Sequence, residues 1–318
     1  MRRGASRIRL VVVLVVVLLV LGVVGGVAAG AVGGARVVGG ARVVGGARVL
    51  IGARAASDPN LIGLLYQSLG VPPPGSNDFS CMPSAAHPYP VVLVHGTLLD
   101  QTSDWVLMSL FLKRAGYCVF SLDYGNRATG PIEQSAVELA AFVSRVLGAT
   151  GARRVAIVGH SQGGMMPRYY LKFMGGTAHV AQLIGLAPSN HGTTLPLAGP
   201  VGQYGDCPAC SEQVAGSPFL RKLNAGDQTP GPVTYTVIET SHDEIVTPYR
   251  SAFLPREGGR VTNVLLQTRC PGDLSEHVSI SYDPVAIQWV LNALGRRGRA
   301  DSRFRPDCVG LGVLLRGS

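Results

Sequence analysis

The stretch Val155-Ala156-Ile157-Val158-Gly159-His160-Ser161-Gln162-Gly163-Gly164 runs from apolar, β-compatible residues into Gly-x-Ser-x-Gly without a spacer. Glycines flanking a serine suit a strand-to-helix turn too tight for side chains, which holds the serine strained and its hydroxyl exposed. Ser161 is therefore a candidate nucleophile. The next amide, that of Gln162, stands at a helix start, where free N–H groups stabilise negative charge developing on an oxygen.

A serine hydroxyl attacks an acyl carbon only with a base to take its proton, an acid to orient that base and two donors for the oxyanion. On a turn of this kind the chain order is Ser, then Asp or Glu, then His. Of seven histidines, His277 lies in the loop after the last strand and is the candidate base. His95 and His160 sit inside glycine turns, where their backbones matter and their rings are too constrained to act as bases. His87, His179 and His191 read as surface or loop residues, and His242 suits a supporting role beside the acid. The strand after the serine ends in Pro188-Ser189-Asn190, without a carboxylate, whereas the one after that ends at Asp243-Glu244. Asp243 is favoured because Val246-Thr247-Pro248 opens a packed turn beyond it; Glu244 is the alternative. Asp123 ends a strand before the serine and reads as structural. The second oxyanion amide falls to Thr97, after His95-Gly96 at the end of the first strand. No cofactor or metal is required. Asp273 and Asp283 lie near His277 and could ligate calcium, although isolated carboxylates are usually just solvated.

The elements that would position these residues alternate. Strands are expected at Val91–Val94, Cys118–Tyr124, Val155–Gly159, Val180–Leu186, Val233–Ile238 and Val261–Gln267. Helical spacing marks Trp105–Lys113, the segment opened by Pro131, the one running from the serine turn to Met174, and Pro284–Leu294. Strands separated by helices imply an α/β fold, a mostly parallel sheet covered on both faces. Every polar cluster named above falls at the carboxyl end of a strand, where sites in such sheets lie. From Thr193 to Pro232 the periodicity is lost, and 193–232 reads as an inserted lid or cap. Its apolar Val201, Val214, Phe219 and Leu220 would either cover the pocket or simply pack.

A chain of 318 residues with 47% hydrophobic content suits one such domain with appendages. The net charge of +9 is misleading, because eight arginines precede Ala55 with no acid among them. The remainder is close to neutral, so no nucleic-acid partner is expected. Residues 1–30 have the basic start, apolar run and small-residue end of an export signal, with a membrane anchor as the rival reading. Residues 31–56 carry Gly-Gly-Ala-Arg-Val-Val/Leu repeated at 33, 39 and 45, read as a flexible tether. The domain then spans 57–318, opening on an irregular arm. Six cysteines fit an oxidising destination. By position the favoured pairs are Cys81–Cys118, Cys207–Cys210 and Cys270–Cys308.

Several separated motifs resemble the secreted bacterial lipases of class 2. They are Val92-Leu93-Val94-His95-Gly96-Thr97, Gly159-His160-Ser161-Gln162-Gly163-Gly164, Leu186-Ala187-Pro188-Ser189-Asn190-His191-Gly192-Thr193-Thr194, Asp243-Glu244-Ile245-Val246-Thr247-Pro248-Tyr249 and Glu276-His277. The resemblance covers roughly Pro88 to Leu294. It implies an α/β-hydrolase fold, Ser161, Asp243 and His277 as a triad, and ester hydrolysis with triacylglycerols the usual substrate. The partner would be a lipid ester, at a lipid–water interface or free, and the protein a monomer. An envelope acyltransferase using the same triad with an alcohol acceptor is the alternative, and a lipid-binding protein on an inactive scaffold a third reading.

Overall fold

The computed structural model describes residues 71–195, 207–296 and 298–308. The export segment, the repeat, the domain boundary near 57 and residues 196–206 of the insertion lie outside them.

Six strands form one parallel sheet: β1 (Val91–Val94), β2 (Val119–Leu122), β3 (Val155–His160), β4 (Val180–Leu186), β5 (Thr234–Glu239) and β6 (Val261–Leu265). Their order is β2-β1-β3-β4-β5-β6. The chain leaves β1 for one side and returns at β3 on the other, so the carboxyl ends of these paired strands form the crevice where such sheets place their sites. The helices that pack on the sheet or border the turn at Ser161 include α1 (Gln101–Arg114), α2 (Ile132–Thr150), α3 (Gln162–Met165), α4 (Pro167–Phe173), α5 (Pro208–Glu212), α6 (Pro218–Asn224), α7 (Leu266–Arg269) and α8 (Pro284–Gly295).

Alternation along the strands assigns residues to two cores. Val92, Val94, Phe120 and Ile157 face Ile132, Leu139, Val143 and Val146 of α2. Val91, Leu93, Ala156 and Val158 face Trp105, Met108 and Leu112 of α1 and Val285, Trp289 and Val290 of α8. A sheet covered on both faces needs nearly continuous apolar strands, which is why β1 and β4 are apolar almost throughout.

Several element boundaries differ from the sequence reading, most by one residue, and four of them have a visible physical reason. Helix α1 begins at Gln101 rather than Trp105, because Asp100 caps the amides of Thr102 and Ser103. Strand β2 stops at Leu122: Asp123 turns away to accept from the Gln101 amide, and the Tyr124 hydroxyl bonds the His95 carbonyl. Pro167 divides the helix after Ser161 into α3 and α4. Beyond Leu265 the chain winds into α7 instead of continuing β6 to Gln267.

All three favoured cysteine pairs are disulfides.

Candidate active site

Ser161 links β3 to α3 with φ 53° and ψ −121°, a strained conformation costing about 1–3 kcal/mol. A Cβ on Gly159 would come within 1.9 Å of the Gly163 carbonyl oxygen, and one on Gly163 within 2.1 Å of that of Val94. The turn closes only with glycine at both positions.

Ser161 Oγ lies 3.0 Å from His277 Nε2, and His277 Nδ1 lies 2.8 Å from Asp243 Oδ2. All three residues are buried. An ionised Asp243 accepts the Nδ1 proton, which leaves Nε2 with a lone pair for the serine hydroxyl. The second Asp243 oxygen accepts from the amides of Ile245 and Val246 at 2.9 and 2.7 Å. Burial pushes this carboxyl up, but the His277 ring and the two amides outweigh it and hold Asp243 below the ordinary carboxylate value. Glu244, the alternative acid, has no bond to His277 and is exposed.

Thr97 and Gln162 stand side by side because Val94 pairs in register with Gly159. Among the described residues, neither amide is taken by a backbone acceptor. Their side chains are tied together, with Thr97 Oγ1 donating to Gln162 Oε1 at 2.7 Å. The Thr97 hydroxyl proton is thus spent, leaving its backbone N–H as the available donor.

Three neighbours lie outside the residues that the sequence motifs single out. Glu239, the last residue of β5, is fully buried and accepts from the Thr240 amide at 2.8 Å. Burial and the adjacent Asp243 charge push its carboxyl well above the ordinary value, which favours its neutral form beside the Asp243 carboxylate. Gln213, in the inserted segment, donates to Thr97 Oγ1 and Gln162 Oε1. Asp104 of α1 lies 3.0 Å from His160 Nδ1.

The remaining histidines and carboxylates divide. The His160 ring has a structural partner at each nitrogen, so its side chain matters as much as its backbone. His242 is exposed beside Gln267 and supports neither Asp243 nor His277. His95 is buried and stacked on Tyr124, His87 packs on Tyr117, and His179 is exposed. His191 is more than a surface residue: its ring joins the Ser251 carbonyl and Gln228. Asp123 anchors the start of α1 through both the amide and the side chain of Gln101. Asp283 caps α8 through the Ala286 amide, and Asp273 bonds Ser275. Neither is simply solvated, and among the described residues no three potential ligands gather to hold a metal.

Within the insertion, Glu212 caps α2 through the Ile132 amide, while Phe219 and Leu220 are buried, with Phe219 stacked on Tyr169. These two apolar residues pack instead of facing a lipid surface. Val214 is half-buried, and Val201 lies outside the described residues.

The parallel sheet, its helices and the turn after β3 define an α/β-hydrolase fold. Lipase B of Aspergillus fumigatus matches it with a TM-score of 0.61 at 24% identity, over 77% of this chain and 62% of that one. Bacillus licheniformis lipase BlEst2 in its propeptide form matches with a TM-score of 0.55 at 19% identity, over 74% and 55%. The family model for lipase (class 2) matches residues 88–290, and the chain belongs to that family. The triacylglycerol lipases of Pseudarthrobacter phenanthrenivorans and Burkholderia plantarii are each 37% identical over 92 residues, 27% of this chain. The match spans 28% and 25% of those proteins, about a quarter of their length.

Proposed function

We propose that the protein is a secreted serine carboxylester hydrolase that cleaves acylglycerols or other lipid esters through an acyl-enzyme. The observation that carries this reading is the unbroken hydrogen-bonded series Ser161 Oγ, His277 and Asp243. In the proposed reaction the Ser161 oxygen attacks the ester carbon as its proton passes to His277 Nε2, and Asp243 stabilises the imidazolium. The Thr97 and Gln162 amides hold the oxyanion. Collapse of the tetrahedral adduct breaks the carbon–oxygen bond, and His277 returns the proton to the departing alcohol oxygen. Water, deprotonated by the same ring, then releases the acid and regenerates the serine.

Lipid esters are favoured by the family and by the exposed apolar side chains Leu98, Ile245, Leu274 and Val278. Each lies within three residues of Thr97, Asp243 or His277, so a hydrophobic surface flanks the site. Secretion is supported by the three disulfides and by the export-type pattern of residues 1–30. Among the described residues no helix is long and apolar enough to cross a membrane.

The test compares hydrolysis of p-nitrophenyl esters from acetate to palmitate by the purified protein and its Ser161→Ala variant. Turnover favouring medium or long chains and lost in the variant supports the proposal. Its absence from the folded wild-type protein at every chain length rejects hydrolysis. Formation of a new ester when an alcohol is supplied then selects the acyltransferase alternative.

A further inference from the structure

His160 presents a protonation problem that its partners resolve. Its ring is completely buried at the end of β3, next to the nucleophile. Nδ1 lies 3.0 Å from Asp104 Oδ2, and Nε2 lies 2.8 Å from the backbone carbonyl oxygen of His277. A carbonyl only accepts, so Nε2 must carry a proton. Asp104 Oδ2 already accepts from the Gly96 amide at 3.0 Å, and an ionised carboxylate is also an acceptor alone. Two acceptors on opposite sides of one imidazole require two ring protons.

The other arrangement with the same proton count has neutral His160 accepting at Nδ1 from a protonated Asp104. It would make Oδ2 a hydroxyl donor to the ring while the Gly96 amide still points at it. Burial works against the ion pair, pushing Asp104 up and His160 down. The mutual charge and hydrogen bond outweigh it, holding Asp104 below and His160 above their ordinary values. His95, Tyr124, Tyr282 and Ser281 also surround Asp104, while Asp243 and His277 lie toward His160. His95 is the competing base in this group facing Asp104, and burial lowers its affinity for a proton.

We propose that His160 carries protons on both ring nitrogens and, with Asp104, positions the turns bearing Thr97, Ser161 and His277 for the reaction. This rests on the hydrolase reading above. Asp104 grips the Gly96 amide beside Thr97. His160 is contiguous with Ser161 and bonds the backbone of the base itself. One buried ion pair therefore joins the three turns that supply oxyanion donor, nucleophile and base. Neither residue touches the reacting atoms; both are positioning residues.

Asp104→Asn keeps the shape but cannot satisfy both neighbours. With its oxygen toward Gly96 and His160 the partner charge is gone; with its nitrogen toward His160 the Gly96 amide loses its acceptor. The experiment combines nitrogen-15 NMR of the ring in the wild-type protein, assigned through its own backbone, with steady-state kinetics of Asp104→Asn. The expected spectrum has two protonated His160 ring nitrogens at neutral pH and above, beyond the titration of a free imidazole. The expected variant shows one protonated nitrogen and a kcat lowered roughly tenfold to a hundredfold, with KM little changed. A wild-type ring with one protonated nitrogen at neutral pH overturns the imidazolium. Wild-type kcat in folded Asp104→Asn overturns the positioning role. Absence of wild-type ester turnover, by contrast, overturns the hydrolase reading, while the spectrum still decides the protonation.

Discussion

Gln213 Nε2 lies 2.9 Å from Thr97 Oγ1, which joins the inserted segment to the turn that follows β1. The same nitrogen reaches Gln162 Oε1 at 3.1 Å, while Gln213 Oε1 accepts from Ser189 at 2.8 Å. The insertion thus shares a polar knot with both residues whose amides are proposed to hold the oxyanion. Gln213→Leu removes that link and leaves the Ser189 hydroxyl without its partner. The expected result is a roughly tenfold fall in kcat on p-nitrophenyl butyrate in a protein that stays folded. An unchanged kcat would show that the insertion does not tune the donors.

Substitutions at the two acids should separate sharply. Asp243→Asn keeps the shape but removes the charge that selects the His277 tautomer, and kcat should fall by about 10,000-fold. Glu244→Gln should retain nearly wild-type kcat/KM, because the Glu244 side chain does not bond the base. Equal losses in both variants would contradict the choice of Asp243.

Two acids with raised values make the fold less stable as pH rises. Asp283 is pushed up to about 6 by burial, and Glu239 well above the ordinary value by burial and Asp243. A raised folded value means that the native state holds a proton after the unfolded chain has released it. These contributions are complete below pH ~4 and decline as pH rises through the folded values. Asp283→Asn keeps an N-cap and removes the titration, so the slope of Tm against pH between 4 and 7 should flatten. An unaltered slope would reject this assignment to Asp283.

The apolar residues beside the site predict a distinction between substrate forms. Leu274, with 79% of its surface exposed, and Val278 bracket His277. A Leu274→Ser/Val278→Ser double variant should hydrolyse an emulsified triacylglycerol several-fold more slowly. It should treat a dissolved short-chain ester as the wild type does. Parallel losses on both substrates would place the defect in the chemistry, not in contact with the lipid surface.

Much of this arrangement was legible because a sheet buried on both faces demands apolar strands. Val180–Leu186 therefore stands out with its full boundaries, and Gly159 and Gly163 announce the turn around Ser161. The polar first turn of α1 concealed its start, since Gln101, Thr102 and Ser103 show no apolar period. Asp104 and His160 are 56 residues apart, and neither has a local pattern that names the other. Gln213 was equally silent. Glu239 did leave one usable signal, a carboxylate closing the otherwise neutral run Thr234-Tyr235-Thr236-Val237-Ile238. A parallel strand inside a covered sheet rarely places such a group where water can reach it.

The two long disulfides retain chain segments at opposite ends of the sheet. Cys118 directly precedes β2, one edge strand, and its bridge to Cys81 holds the arm whose Ser76 pairs with Val119. Cys270 follows α7 beyond β6, the opposite edge, and its bridge to Cys308 retains the tail whose Ala300 carbonyl accepts from Thr262. These bridges close separations of 37 and 38 residues, against 3 for Cys207–Cys210. Reduction should consequently release the arm paired beside β2 and the tail that packs on the face of β5 and β6. Unpaired strand margins are templates for other chains, so a reduced population is expected to associate through the β2 edge. In these terms the Cys81–Cys118 bridge serves as a barrier to polymerisation at that edge.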